Sequence, residues 1–141
     1  MKIKQLSVFI ENKEGRLKKT MDTLGKENIN IRALSIADTT NFGILRLIVS
    51  EFEKAKAILE ENKFVVNETD VIAIEIPDKP NGLSAVLNIL DKKEINLEYL
   101  YAFVAKKTNQ AIVVFRVQNI DESIELLSKE NLKLLSQKDI E

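Results

Sequence analysis

The 141-residue chain has no cysteine and no histidine. Without cysteine, neither a disulfide framework nor a thiolate metal site can form. Without histidine as well, the Ser-His-Asp and Cys-His nucleophile systems and the usual zinc ligand sets are excluded. Glycine occurs only four times, singly at 15, 25, 43 and 82, so no phosphate-cradling GxxxxGK[ST] or GxGxxG loop is present. Long apolar runs are missing too: AIVVF, residues 111–115, is far too short to cross a bilayer. The opening MKIKQLSVFI begins with positive charge but alternates and meets no small-residue cleavage site, so no signal peptide is read and the cytoplasm is the expected location. Carboxylates remain for acid–base work or Mg²⁺. Yet the 22 acidic residues are mixed with 21 basic ones along the expected helix surfaces, the pattern of solvated faces. The expectation is a protein that is not an enzyme and holds neither cofactor nor metal.

What is present is a soluble globular composition, 45% hydrophobic and 30% charged, enough for one ordinary domain or two small ones. It also carries an internal repeat. An offset of 66 residues, that between Ile10 and Ile76, also lays Lys13 on Lys79, Leu17 on Leu83, Leu24 on Leu90, Asn30 on Asn96 and Leu34 on Leu100. After the next turn the offset is 68, placing GILRLIV (43–49) over AIVVFRV (111–117). The matches keep both the apolar period and the Ile-Asn step, which isolated coincidences would not.

Each half reads as strand, helix, strand, strand, helix, strand. In the first, residues 3–10 alternate as a strand, and Leu17, Met21 and Leu24 form a helical stripe ending near Gly25–Asn28. Strands over 30–37 and 43–49 are joined by the turn-rich DTTN. Phe52, Ala55 and Leu59 make a second stripe, with Ser50 and Glu53 spaced as a capping box, and FVV closes the unit. The second half offers a strand over 71–76, a helix carrying Leu83, Val86, Leu87 and Leu90, and strands over 96–105 and 110–117. A helix carrying Ile120, Ile124 and Leu127 and a final strand in LKLL complete it. The predicted fold class is α+β: two ferredoxin-like βαββαβ units in tandem, residues 1–68 and 69–141, each an antiparallel sheet with helices on one face. NETD (67–70) reads as the junction. Tyr99, Tyr101 and Phe103 alternate with Leu100, Ala102 and Val104, so that strand is apolar on both faces and needs a second cover. The other repeat and a homodimer partner are equally good candidates for it.

The loop ENKEGRL (11–17) joins the first strand to the first helix, and PDKPNGL (77–83) returns at the same place in the second half. Such a loop opens onto free backbone N–H groups and the positive end of a helix dipole, which favour a carboxylate. Gly15 allows close approach to the backbone, and Asn12 supplies both a donor and an acceptor, as a zwitterion requires. The same residues read equally as a turn cap and a permissive backbone angle, and local chemistry alone favours that plainer reading.

ENKEGRL followed by ENINIRALSI, and PDKPNGL followed by KEINLEYLYAF, resemble the paired signatures of the ACT domain, a D/N-[KR]-P-G-x-L loop and a [VI]-N-[IL] step opening the second strand. The resemblance spans nearly the whole chain as two copies. It implies a regulatory module that binds a small ligand, usually an amino acid, between two units, held by the loop Asn of one and the strand-opening Asn of the other. Carried over, the loop position is Asn12 in the first copy and Asp78 in the second; the strand-opening position is Asn30 and Asn96. The loop glycine is Gly15 in the first copy and is displaced to Gly82 in the second, which leaves Asn81 where glycine is expected, while Glu14 replaces the usual proline. Units paired side by side would combine Asn12 and Gly15 with Asn96, and Asp78 and Gly82 with Asn30. The implied partners are an amino acid, a further copy of the chain in a homodimer, and a metabolic enzyme or regulator on another chain; no nucleic acid and no membrane.

Two other readings compete. RNA-recognition modules share the strand order, and NFGILRLIV resembles their [KR]G[FY][GA]FV strand. But Asn41 stands where a basic-glycine pair belongs, and a net charge of −1 gives no electrostatic footprint. The other is a structural regulatory subunit whose ligand sites are degenerate.

Overall fold

The computed structural model describes residues 1–38, 41–104 and 109–141. They form two compact α+β units, one of Lys4–Thr69 with Ile140–Glu141, the other of Met1–Ile3 with Asp70–Asp139.

In the N-terminal unit, β1 (Ile3–Glu11) leads through α1 (Arg16–Gly25) to β2 (Ile31–Asp38) and β3 (Phe42–Val49), then through α2 (Phe52–Glu61) to the first part of β4 (Val65–Pro77). The strand order β4-β1-β3-β2 is that of a split βαβ unit. Pairing is antiparallel, with Leu6 opposite Leu47 across β1–β3 and Leu34 opposite Leu47 across β2–β3. Strand alternation sends Leu6, Val8, Leu45 and Leu47 to the helix side, where they close with Leu24 of α1 and Ala55 and Leu59 of α2 into one fully buried core. Each such leucine contributes about 1.5–3 kcal/mol through burial.

The C-terminal unit repeats the plan. The last part of β4 is followed by α3 (Gly82–Lys92), β5 (Leu97–Val104), β6 (Gln110–Val117), α4 (Ile120–Ser128), the short β7 (Lys133–Leu134) and a terminal turn of helix α5 (Gln137–Ile140). The order is β7-β4-β6-β5, with Ile74 opposite Val113 and Leu100 opposite Phe115. Ile72, Ile74, Val113 and Phe115 pack against Val86, Leu90 and Leu127.

Several expectations change. FVV and the strand at 71–76 are not two strands; they are one 13-residue β4, and NETD lies inside it. No glycine or proline interrupts 65–76, and polar groups of the expected junction are used within the strand. The Glu68 carboxylate pairs with Lys4 at 3.4 Å, the Thr69 hydroxyl bonds to that of Ser7 at 2.9 Å, and the Asp70 carbonyl accepts from the Arg116 guanidinium at 2.9 Å. The capping box at Ser50–Glu53 is absent: the N-cap of α2 is Glu51, without a side-chain cap. Ser50 is instead tied to Asn30, its hydroxyl accepting from the Asn30 N–H at 3.0 Å and its own N–H donating to the Asn30 carbonyl at 2.9 Å. Glu53 turns to Lys4 at 3.1 Å.

Leu17 is partly exposed at the start of the α1 stripe, while Thr20 is buried, its hydroxyl donating to the Arg16 carbonyl at 2.9 Å. On β5, Leu97 and Leu100 pack on the helix-side core, whereas Tyr99, Tyr101 and Phe103 are half-buried. The middle of the DTTN turn (39–40) and the end of the strand expected over 96–105 fall outside the described residues.

Candidate functional site

The β1–α1 loop is built twice in the same way. The Asn12 N–H donates to the Asn41 carbonyl at 3.1 Å, and the Asp78 N–H to the Asn109 carbonyl at 2.9 Å. One residue on, Lys13 N–H bonds back to the Glu11 carbonyl at 2.9 Å and Lys79 N–H to the Pro77 carbonyl at 3.0 Å. Each turn thus hangs from the end of the neighbouring strand by backbone alone. That leaves the Asn12 and Asp78 side chains exposed and without a partner among the described residues. Neither caps its helix: the N-cap positions are Gly15 and Asn81, and neither helix has a side-chain cap.

The two loop glycines do different jobs. Gly15 adopts φ +81°, in the left-handed region, and an added Cβ would meet nothing within 4 Å. Its counterpart is Asn81, at φ 70°, one of the few non-glycine residues that enter this region with little cost. Gly82 is therefore not a displaced Gly15. It opens α3 with ordinary helical geometry, buried, and a Cβ there would lie 2.4 Å from the Pro77 carbonyl oxygen. The repeat offset already pairs Gly82 with Arg16, the signal that separates the two roles.

Asn30 and Asn96 each stand exposed just before their strand, their side chains free of partners among the described residues. A register irregularity follows in both copies, between Ile31 and Ala33 and between Leu97 and Tyr99. No sequence signal marks it, since neither copy places glycine there. Such bulges re-aim neighbouring side chains. In the first copy the skipped residue is Arg32, whose Nε is buried with no partner among the described residues. In the second it is Glu98, paired with Arg116 at 3.6 Å.

Within one unit the two asparagines are far apart. Asn12 follows Glu11, which lies opposite Phe42, while Asn30 precedes Ile31, opposite Val49. Seven residues of β3 separate those ends, roughly 24 Å at strand spacing. Asn12 borders a pocket of about 220 Å³ with Lys13, Leu17 and Ile36. Asn96 borders one of about 150 Å³ with Glu94, Gln118 and Glu122.

Charge around the loops is locally balanced. In the first, the Glu11 carboxylate holds the Lys13 ammonium at 2.8 Å and Arg16 at 3.5 Å; the hydrogen bond and charge of Lys13, then the charge of Arg16, lower its pKa. In the second, Pro77 replaces Glu11, and Lys79 has no ion pair among the described residues. No group of three acidic residues that could hold a metal ion occurs among the described residues, and none of their helices is long and apolar enough to cross a membrane.

The family model described as ACT domain pair matches residues 1–141, so the chain belongs to that family. No curated protein matches. Among solved structures, protein BT0572 from Bacteroides thetaiotaomicron is similar at 46% identity and TM-score 0.93, covering 99% of this chain and 96% of its own. The ligand-free regulatory subunit of aspartate kinase from Thermus thermophilus is similar in fold at 9% identity and TM-score 0.62, covering 91% of each chain. The corresponding subunit from Thermus flavus is similar at 13% identity and TM-score 0.61, covering 89% of this chain and 88% of its own.

Proposed function

We propose that this ACT domain pair senses a free amino acid bound between ACT units and passes the signal to an enzyme or regulator on another chain. The observation that carries the reading is the separation of Asn12 from Asn30. Both side chains are exposed and have no partner among the described residues, yet roughly 24 Å of strand keeps them apart within a unit. A ligand held by both kinds of asparagine needs a second unit, from the same chain or from another copy. The proposed sites combine Asn12 and Gly15 with Asn96, and Asp78 and Gly82 with Asn30; in the second, Gly82 serves through the turn it makes possible. Residues 1–68 and 69–141 are the two sensing units, the protein is non-catalytic and cytoplasmic, and the chain works as a homodimer.

Support for a regulatory role comes from the family and from the Thermus neighbour, a regulatory subunit of aspartate kinase. That neighbour lends the fold; the ligand and the target here are our reading. A switch follows only if the amino acid binds one arrangement of units better than another.

A thermal-shift screen of the common amino acids tests the proposal. A ligand at ~100 times its Kd adds about 2.7 kcal/mol, which raises Tm by roughly 5–10 °C in a chain of this size. A flat response to every amino acid at millimolar concentration removes the sensing role. Light scattering that finds only a 16.0 kDa monomer removes the homodimer.

A further inference from the structure

A groove in the C-terminal unit lies on the flank of α3, between that helix and the segment entering β7. It has a volume of about 680 Å³, within the range of ligand pockets. Ile76, Pro80, Val86, Ile89 and Leu132 give it aliphatic walls without an aromatic ring. The same place in the N-terminal unit holds only about 360 Å³. There Arg16 stands for Gly82 and Lys19 for Ala85, and the Lys19 ammonium lies 5.9 Å from the centre of the Phe64 ring. Long cationic side chains thus fill in one repeat what glycine and alanine leave open in the other.

Charge at the open groove favours one kind of ligand. Glu75, the one carboxylate among the described residues lining the groove, is only 16% exposed and already holds Lys133 at 2.8 Å. Lys79, exposed at the mouth, has no ion pair among the described residues. From Gly82 to Ile89 the helix runs about 10 Å, the length of an extended chain of about eight carbons.

We propose that this groove binds an aliphatic carboxylate of medium chain length lacking an α-amino group, its carboxylate on Lys79 and its chain along Val86 and Ile89. The groove lies within one unit and borders Gly82 of the proposed Asp78 site, while Asn12 of the tight site is not among its lining residues.

Calorimetry on the full chain with octanoate and with 2-aminooctanoate tests it. Octanoate should bind, and 2-aminooctanoate at least about tenfold more weakly, because its ammonium finds no unpaired carboxylate among the described lining residues. Lys79→Gln should weaken octanoate about tenfold. Ala85→Phe, at an exposed helix position, should abolish its binding while Asn12→Ala leaves it intact. If Ala85→Phe folds poorly, octanoate-induced amide shifts confined to residues 79–89 of the unmodified protein locate the site instead. No heat at ~10 mM octanoate, equal binding of the amino acid, or binding that survives Ala85→Phe without shifts in 79–89 would overturn the assignment. Loss of octanoate with Asn12→Ala would instead assign the heat to the amino-acid site.

Discussion

The two β1–α1 loops share every backbone hydrogen bond that positions them and almost none of their chemistry. Asn12 and Asp78 hang from Asn41 and Asn109 through the same donor and acceptor atoms. Around that frame, Glu11 corresponds to Pro77, Gly15 to Asn81, Arg16 to Gly82 and Lys19 to Ala85. Backbone geometry needs only a left-handed residue at the helix start and a strand end to hang from. Side chains are then free to diverge. A repeat can therefore keep its fold while its two copies acquire different ligands, and each difference can be tested against its counterpart.

The largest expected effect separates the glycines. Gly82→Ala drives a Cβ against the rigid Pro77 carbonyl and should cost about 2–3 kcal/mol, lowering Tm by roughly 6–15 °C. Gly15→Ala meets no atom and suffers only the left-handed backbone cost, about 1 kcal/mol or roughly 3–5 °C. Asn81→Gly, relieving the same conformation in the other copy, should be neutral or stabilising by a few tenths of a kcal/mol, a change of about 1 °C or less. Equal losses at Gly15 and Gly82 would show that the two positions are equivalent after all.

Next comes the ligand. Asn12 offers a donor and an acceptor, whereas an ionised Asp78 only accepts and repels a ligand carboxylate. Asn12→Ala should weaken the amino acid at least about tenfold, close to 1.4 kcal/mol, while Asp78→Ala leaves the tight site intact. Calorimetry on both variants decides it. The opposite ranking would move the ligand to the Asn30 end, where Arg32 holds a guanidinium nitrogen with no partner among the described residues.

Much of this is legible in the sequence for a physical reason. Apolar periodicity reports burial on a sheet or helix face, so the stripe at Phe52, Ala55 and Leu59 reappears as the buried face of α2. The repeat offset carries the second unit, the strand-opening asparagines and the loop correspondence. What fails depends on partners distant in sequence. NETD looks like a junction between strands until Lys4, Ser7 and Arg116 are brought to it. Ser50–Glu53 has the spacing of a capping box, but Asn30 and Lys4 compete for both side chains and win. Gly82 is misassigned by its motif because a motif shows that a glycine is present, not whether φ or crowding demands it. The bulge at Arg32 and Glu98 leaves no mark, since any residue can occupy it.

The smallest effect sets the two units against each other in pH. Glu11 is held below the usual carboxylate range by its hydrogen bond and charge contact with Lys13, and by Arg16. A depressed carboxylate contributes stability that is present above its ordinary value and is lost as pH falls through the lowered one. Pro77 leaves the C-terminal loop without this group. That unit instead carries Lys133, raised above the ordinary 10.5 by its hydrogen bond and charge contact with Glu75. A raised ammonium contributes stability that is present below its ordinary value and is lost as pH climbs through the higher one. The Glu11 carboxylate and the Lys133 ammonium are both solvent-exposed, so each effect is small and weakened by salt. Melting curves from neutral pH downward should show Glu11→Gln slightly less stable than the parent at neutrality, with the gap closing in acid. From neutral pH upward, Lys133→Gln should show its gap closing only above the ordinary lysine value. Gaps that stay constant across these ranges would mean that packing, not charge, distinguishes the two copies here. Gaps closing at the same end would mean that the two units are electrostatically alike at these pairs.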